Sequence, residues 1–304
     1  MKHIKEIIES IKWKEEVALT PGMKFLEENM GPLYPGELSL ICGDGDSGKS
    51  ALMIQQIHRL AIDEKVPVLV VLSGKDENAF LACMAAYYCN IVIEDVHRVF
   101  ADPLCKKMIE KYMELVQQSP IFFISRQEFC AQEKKLSEYV IGNGIKAIFI
   151  ENILWMCMEL SEQRRLAIWL KELAVKLQVA IIGEYHIWTD EDYPALSMHQ
   201  LEKDDIAVFA DNIIGMVDFQ QRDILTDEKG NDLRGKVRIK ILKHKGLLAK
   251  GKELIFEKIH LFVQDIHKIG YMGADRRDLF AGNGALNRLT NEFDCKLQDV
   301  FNID

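Results

Sequence analysis

The sequence lacks three features that would each direct the protein to a particular environment. It has no run of about 18 consecutive apolar residues, the length that a membrane-spanning helix needs, and its N-terminal segment has no apolar core of the kind found in a signal peptide. Its seven cysteines are scattered and form no Cys-x-x-Cys pair, which argues against a disulfide framework or a zinc site. We therefore expect a cytoplasmic protein that binds no membrane and works in a reducing compartment.

The sequence also lacks an overall positive charge. Its formal net charge is −9, so no global basic field would attract nucleic acid. The stretch 234–258 differs, because nine basic residues stand there against two acidic ones; this local +7 leaves −16 for the rest of the chain. A charge run of this kind is most often a solvated face, and we expect one here.

Apolar residues are plentiful, and their arrangement predicts an α/β fold. They make up 48% of 304 residues, enough for a full core. Continuous apolar runs separated by helical segments are typical of a mostly parallel sheet flanked by helices. The strands are predicted at 38–42, 66–72, 121–124, 147–150 and 179–182, and the helices near 49–63, 76–89, 131–141 and 161–177. Basic and apolar residues then alternate, which predicts antiparallel edge strands near 236–263.

One α/β domain is predicted over residues 20–265. Residues 1–19 form a linker with an amphipathic helix, because four isoleucines there lie at positions i, i+3, i+4 and i+7. That helix can pack on its own domain or dock on a neighbouring subunit, and the sequence leaves both open. Residues 266–304 are predicted to form a C-terminal tail.

The segment 43–50 satisfies the pattern G-x-x-x-x-G-K-[ST] of a phosphate-binding loop. Glycines let successive backbone N–H groups face phosphate oxygens at a helix N-terminus. In this pattern Lys49 reaches the β- and γ-phosphates, and the Ser50 hydroxyl ligates Mg²⁺. Asp44 and Asp46 add negative charge beside an anionic ligand and should weaken its affinity. We predict an ATP and Mg²⁺ site formed by Gly43, Asp44, Gly45, Asp46, Ser47, Gly48, Lys49, Ser50 and Ala51.

An acid at the end of another strand would complete the metal shell. Glu151 directly follows the apolar run 147–150. A glutamate at a strand end is also common on protein surfaces, and the presence of a phosphate loop is what favours the metal role. Ser50 and Glu151 are therefore the predicted metal residues.

These motifs, in their order, resemble the RecA-type motor domain of DnaB-type replicative helicases. Thr20-Pro-Gly-Met-Lys-Phe-Leu and Gly31-Pro-Leu-Tyr-Pro-Gly-Glu-Leu38 are similar to the family's opening segment, Gly144–Glu151 to its third strand, and Lys243-His-Lys-Gly246 to its finger turn. The resemblance covers about residues 20–260. It implies a RecA-like P-loop ATPase that forms a homo-oligomer, with a ring as one form, and whose site is completed by a neighbouring subunit.

The resemblance also implies catalytic roles. Asp76 or Glu77 would orient the attacking water, and His186 stands at the sensor position, where the family has glutamine. Lys243 and Lys245 would act on the nucleotide of a neighbouring subunit.

Two departures from the family pattern predict slow ATP hydrolysis. The family has a water-activating glutamate where this chain has Gly74 or Lys75. The family's arginine finger corresponds to Lys245, and lysine lacks the planar fork with which arginine stabilises the transition state.

Single-stranded DNA is an open question. In the family, DNA-binding loops follow the third and fourth strands. Arg164 and Arg165 are candidate phosphate contacts in the first loop, whereas the second loop, 189–194, carries three carboxylates that would repel DNA.

Two functions of different classes stay open on the sequence. One is a Mg-ATP-binding, DnaB-like motor of DNA replication, or a weakened derivative of it. The other is a nucleotide-binding assembly or loader module without significant ATP turnover. A RecA-like ATPase used in signalling is a third possibility.

Overall fold

The computed structural model describes residues 18–45, 47–74, 77–89, 103–131, 133–156, 162–187, 196–201, 205–249 and 252–257. All of them belong to a compact unit spanning Met1–Asp265. Several predictions fall outside these residues: the N-terminal helix, the roles of Asp46 and Asp76, the acidic loop 189–194, a strand at 260–263 and the tail 266–304.

The described residues form one nine-stranded sheet. Its order is β3-β2-β4-β5-β1-β6-β7-β8, and β9 pairs with β7. The strands from β3 to β6 run parallel, and β7, β8 and β9 are antiparallel. This confirms the predicted mostly parallel sheet with antiparallel edge strands. The strands are β1 Leu38–Gly43, β2 Val68–Leu72, β3 Ile121–Ser125, β4 Ala147–Ile150, β5 Ala180–His186, β6 Asn212–Asp218, β7 Lys236–His244, β8 Leu247–Leu248 and β9 Glu253–Glu257.

Helices flank the sheet and bury both of its faces. One core cluster includes Leu52 and Phe80, and the other includes Phe129 and Leu170. All six residues of β1 are buried, which explains why its sequence does not alternate. Among the described residues, no helix is long and apolar enough to cross a membrane. The helices are α1 Lys24–Asn29, α2 Lys49–Ile57, α3 Glu77–Tyr88, α4 Pro103–Gln117, α5 Arg126–Ala131, α6 Glu133–Gly142, α7 Gln163–Leu177, α8 Met198–Leu201 and α9 Asp205–Phe209, with a π-helical turn at His58–Asp63 and 3₁₀ turns at Ile153–Met156 and Gln220–Arg222.

The strand that sequence reasoning missed is β6, which lies next to β1. Its apolar run is short and is interrupted by Gly215. A Cβ at that glycine would approach Leu196 Cδ2 to 2.7 Å and Leu242 Cδ1 to 2.9 Å. The position is therefore glycine because the neighbouring leucines pack too closely for a side chain. It does not mark a turn.

Part of the basic stretch lies on β7, where it forms one face of the antiparallel ribbon. Val237 and Ile239 are buried, so the alternating Lys236, Arg238 and Lys240 share the opposite, partly exposed face. Lys240 stands opposite Glu253 of β9 in the strand register. An arrangement with opposite charges facing each other across strands is what a solvated face would show.

Candidate nucleotide-binding site

The loop 43–48 connects the carboxyl end of β1 to the first residue of α2. Gly48 has φ +92°, a left-handed conformation that glycine adopts without strain. A Cβ at Gly43 would lie 2.5 Å from the Met216 carbonyl oxygen and 2.6 Å from Ser47 Oγ, so the close turn excludes a side chain there. The N-cap residue of α2 is Gly48, which has no side chain to cap the helix. The first N–H groups of α2 therefore face the loop, the arrangement that binds phosphate.

Lys49 lies folded against this loop. Its side chain is buried, and Nζ donates hydrogen bonds to the Asp44 carbonyl and, at 3.4 Å, to Ser47 Oγ. Ser47 Oγ also donates to the Asp44 carbonyl at 2.9 Å. The ammonium group of Lys49 thus lies at the backbone of the loop, where the lysine of a phosphate-binding loop would contact a phosphate chain.

The hydroxyl of Ser50 donates a 3.0 Å hydrogen bond to Glu184 Oε2. Glu184 is buried on β5, which lies between β1 and β4 in the sheet. Sequence reasoning selected Glu151 as the partner of Ser50 and did not select Glu184. The signal that could have identified Glu184 is a carboxylate just beyond the apolar run 179–182 and Gly183, since acidic residues are rarely buried without a partner.

Glu151 is also buried and directly follows β4. The register pairs Ile150 of β4 with Gly183 of β5. Glu151 and Glu184, the next residues along each segment, therefore lie side by side. The hydroxyl of Ser73 donates to the Glu151 carbonyl, which ties the end of β2 to the end of β4. The structure therefore brings two buried carboxylates to the carboxyl edge of the sheet, where the sequence predicted one.

These oxygen groups suit magnesium better than a softer metal. Mg²⁺ in nucleotide sites takes one or two carboxylates together with substrate phosphate oxygens and water. Ser50, Glu151 and Glu184 offer that donor set. Within the described residues, no group of three or more His, Cys, Asp or Glu side chains forms a cage for a metal on its own.

His186, the predicted sensor, ends β5 beside the loop. A Cβ at Gly45 would lie 3.8 Å from His186 Cε1, an ordinary contact distance. Burial lowers the pKa of His186 below its usual value, Lys49 lowers it further, and Asp44 opposes the shift. The imidazole is therefore neutral at pH 7.

The carboxylate of Asp44 is paired with Arg222. The guanidinium Nε donates a 2.7 Å hydrogen bond to Asp44 Oδ2, and Nη2 lies 2.6 Å from the same oxygen. Arg222 belongs to the 3₁₀ turn after β6, and its side chain is 10% exposed. No local pattern of residues indicates this contact, since 178 positions separate the two residues.

At the end of β2, the side chain of Trp155 packs against Gly74. A Cβ at Gly74 would come within 2.2 Å of Trp155 Cζ3, so the indole lies directly on the glycine. A glutamate at position 74 would have to displace that ring. Glu77, the second predicted water-orienting residue, is exposed in the first turn of α3.

Lys243 is engaged within its own chain. Its Nζ donates to the carbonyls of Ala207 at 3.1 Å and Val208 at 2.9 Å, near the C-terminal end of α9. Burial lowers the pKa of Lys243, and Asp211 opposes the shift. These contacts are those of a helix-capping lysine.

Lys245 lies at the edge of the sheet opposite the phosphate loop. Its backbone N–H donates to Asn212 Oδ1 at 3.1 Å, at the start of β6, and its Nζ stands 4.9 Å from the centre of the Tyr34 ring. The side chain is exposed and lines an open cleft of about 530 Å³. It does not reach the loop of its own chain, so any role in catalysis requires a second copy.

Arg164 and Arg165, the candidate DNA contacts, are exposed in the first turn of α7. Both guanidinium groups are accessible to a ligand. Their role in DNA binding stays a prediction.

Comparisons with known proteins agree with this architecture. No protein-family model matches the chain, and no curated protein matches it in sequence. Among solved structures, it is similar to one described as an ATPase domain, with a TM-score of 0.66 and 15% identity over 83% of this chain and 91% of that chain. It is also similar to a DnaB-like replicative helicase described with its primase interactions, with a TM-score of 0.65 and 13% identity. That match covers 84% of this chain and 63% of the helicase.

Identities this low show the fold and nothing finer. The two structural matches confirm the RecA-like α/β fold and the structural resemblance that the order of the sequence motifs predicted. The chain has the fold of the ATPase domain of DnaB-type helicases.

Proposed function

We propose that the protein is a Mg-ATP-binding domain of DnaB-like helicase type, working as an oligomeric DNA-replication motor or as a weakened derivative of one. The observation that carries this proposal is the phosphate loop, where Lys49 and Ser50 begin a helix with a glycine N-cap and Ser50 contacts a buried carboxylate. The fold supports the same function, because it is shared with helicase ATPase domains.

Lys49, Ser50 and the N-terminus of α2 each have a specific task in this proposal. Lys49 exchanges its bond to the Asp44 carbonyl for the β- and γ-phosphate oxygens, and the N–H groups of α2 hold the phosphate chain. Ser50 and the carboxylates of Glu151 and Glu184 supply the oxygens on the metal side. Mg²⁺ held by these groups would supply positive charge beside the phosphates.

Hydrolysis is proposed to be slow. Among the described residues, the end of β2 offers Ser73, which bonds the Glu151 carbonyl, and Gly74, which Trp155 covers, and neither can activate water. Loss of a positioned general base typically lowers a rate by about 10²–10⁴-fold. The same observation favours the second candidate, a nucleotide-binding assembly or loader module without turnover.

Assembly and DNA belong to the same proposal. Lys245 lies away from its own loop, so a homo-oligomer, with a ring as one form, would bring it to a neighbour's nucleotide. Arg164 and Arg165 would contact the phosphates of single-stranded DNA.

The proposal is tested by measuring nucleotide binding and turnover on the same sample. Wild type should bind Mg-ATP in calorimetry, and Lys49→Ala should abolish binding, because the backbone cannot replace the lysine's charge. Lys146→Ala is a matched control, since Lys146 is an exposed lysine at the opposite edge of the sheet. Unchanged affinity in Lys49→Ala would refute the nucleotide site. ATP turnover with and without single-stranded DNA then separates the motor from the assembly module.

A further inference from the structure

The phosphate loop carries an acidic residue in a place where acid opposes its ligand. Asp44 follows the first glycine of the loop, and its carbonyl accepts the hydrogen bond from Lys49 Nζ. The carboxylate of Asp44 is only one side chain away from that carbonyl, so it brings negative charge to the neighbourhood of the phosphates that Lys49 would bind. Two like charges in a partly desolvated site repel each other far more than they would in water.

Arg222 pairs with that carboxylate. Its Nε donates to Asp44 Oδ2 at 2.7 Å, and its Nη2 lies 2.6 Å from the same oxygen. The side chain of Arg222 is 10% exposed and that of Asp44 22%, so solvent screens this pair little. By contrast, the Asp232–Arg234 pair on the surface has side chains 54% and 66% exposed.

The backbone holds Arg222 in place. Asp218 Oδ1 accepts hydrogen bonds from the N–H groups of Gln220 at 2.9 Å and Gln221 at 3.3 Å, and the Phe219 carbonyl accepts from the Arg222 N–H at 3.1 Å. The register of β6 against β1 places Met216 beside Gly43, which brings this turn to the loop. The guanidinium is therefore presented by a preorganised turn.

We infer that Arg222 is a positioning residue of the nucleotide site, which neutralises Asp44 and thereby lets this acidic loop accept a nucleoside triphosphate. The inference rests on the proposed nucleotide site and adds to it a residue from a distant segment. The effect is electrostatic, so it grows with the charge of the ligand. ATP, with one more phosphate, depends on Arg222 more than ADP does.

The test is a double-mutant cycle on nucleotide affinity, using Mg-ATP and Mg-ADP in calorimetry. Arg222→Gln should raise the Kd for ATP by about tenfold or more, since two unit charges about 4 Å apart, at an effective dielectric constant of about 20, interact with several times the thermal energy. The rise for ADP should be smaller. Adding Asp44→Asn to Arg222→Gln should restore most of the affinity, because the charge that needed neutralising is gone.

Asp44→Asn alone should bind ATP at least as tightly as wild type does. It also keeps the inference testable if Arg222→Gln fails to fold, and thermal unfolding of each variant identifies that case. The matched controls are Arg234→Gln and Asp232→Asn with Arg234→Gln, which break an exposed Arg–Asp pair and should leave the affinity unchanged.

The outcomes separate this inference from the proposed function. If wild type binds ATP and Arg222→Gln binds it equally well, the inference is wrong and the nucleotide site stands. A purely structural arginine is indicated if Asp44→Asn does not rescue Arg222→Gln, or if ATP and ADP lose affinity equally, and either result overturns the inference. If wild type binds no nucleotide, both the proposed nucleotide site and the role inferred for Arg222 are wrong.

Discussion

At the scale of single residues, the hydrogen bond from Ser50 to Glu184 bears most directly on how the site would work. The serine belongs to the loop and the glutamate to the buried strand β5, and their oxygens are 3.0 Å apart. A buried carboxylate in contact with the serine of a phosphate loop can accept a metal or polarise a water, whereas Glu151 stands one strand further from β1. The two glutamates are therefore candidates for separate roles.

We predict that Glu184→Gln lowers Mg-dependent ATP turnover by about 10²-fold, because the metal side of the site loses a carboxylate that contacts Ser50. Nucleotide binding should be retained, because Lys49 and the loop backbone are unchanged. The measurement is steady-state turnover against Mg²⁺ concentration for Glu184→Gln and Glu151→Gln.

Glu172→Gln serves as the control, since Glu172 is exposed on α7. If Glu184→Gln turns over ATP like wild type with the same Mg²⁺ dependence, the contact with Ser50 has no catalytic meaning, and Glu151 is left to hold the metal.

At the scale of elements, the structure changes the interpretation of Lys243. Sequence order placed it in a finger acting on a neighbour, yet its ammonium group binds the carbonyls of Ala207 and Val208 in α9. These bonds connect β7 to the C-terminal end of a short helix and offset the negative end of its dipole.

We predict that Lys243→Met destabilises the domain by about 1–2 kcal/mol, the size of a lost hydrogen bond to a charged donor. Methionine keeps the apolar stem and removes only the ammonium group. Urea unfolding should show a lower midpoint with an unchanged slope.

Lys240→Met is the matched control, because Lys240 lies on the partly exposed face of the same strand. If Lys243→Met has wild-type stability but a lower rate of ATP turnover, Lys243 acts in the finger and is not a structural cap.

At the scale of the whole molecule, the phosphate loop and Lys245 lie at opposite ends of the strands. The loop is at the carboxyl ends, and Lys245 is at the amino end of β1. The loop follows the carboxyl end of β1, and Lys245 is bonded to Asn212, whose register partner is Ser39 at the amino end of β1. Four or more strand residues at about 3.3 Å each separate the two edges. Lys245 therefore cannot complete the site that its own chain carries.

We predict complementation between two impaired variants of an oligomer. Lys49→Ala lacks a working loop but keeps Lys245, and Lys245→Ala keeps the loop but lacks the ammonium group. After the two are mixed and allowed to exchange subunits, ATP turnover should exceed the sum of the separate rates. Light scattering on the same mixture verifies that oligomers are present.

The prediction is wrong if the mixture forms intact oligomers but turns over ATP only at the sum of the rates of the two separate variants. In that case Lys245 serves only the local turn in which it lies.

Much of the fold could be predicted from the sequence, because continuous apolar runs are local patterns. The motif of the candidate phosphate loop is local as well, and its binding of nucleotide stays a prediction. Leu38–Gly43 and Ala147–Ile150 are strands because they are continuous apolar runs, and the glycines and Lys49 of the loop follow from a short motif. The strand β6 could not be recognised in the same way, since Gly215 and the flanking polar residues Asn212 and Asp218 hide it.

What the sequence determined by itself is the candidate phosphate-loop motif, because residues 43–50 are contiguous in the chain. What only the tertiary structure decided is the set of groups that surround the loop. Glu184 reaches Ser50 across 134 positions and Arg222 reaches Asp44 across 178, because β5 and β6 lie on either side of β1. Strand order depends on how helices cover the two faces of the sheet, and no local pattern of residues encodes which strand becomes a neighbour.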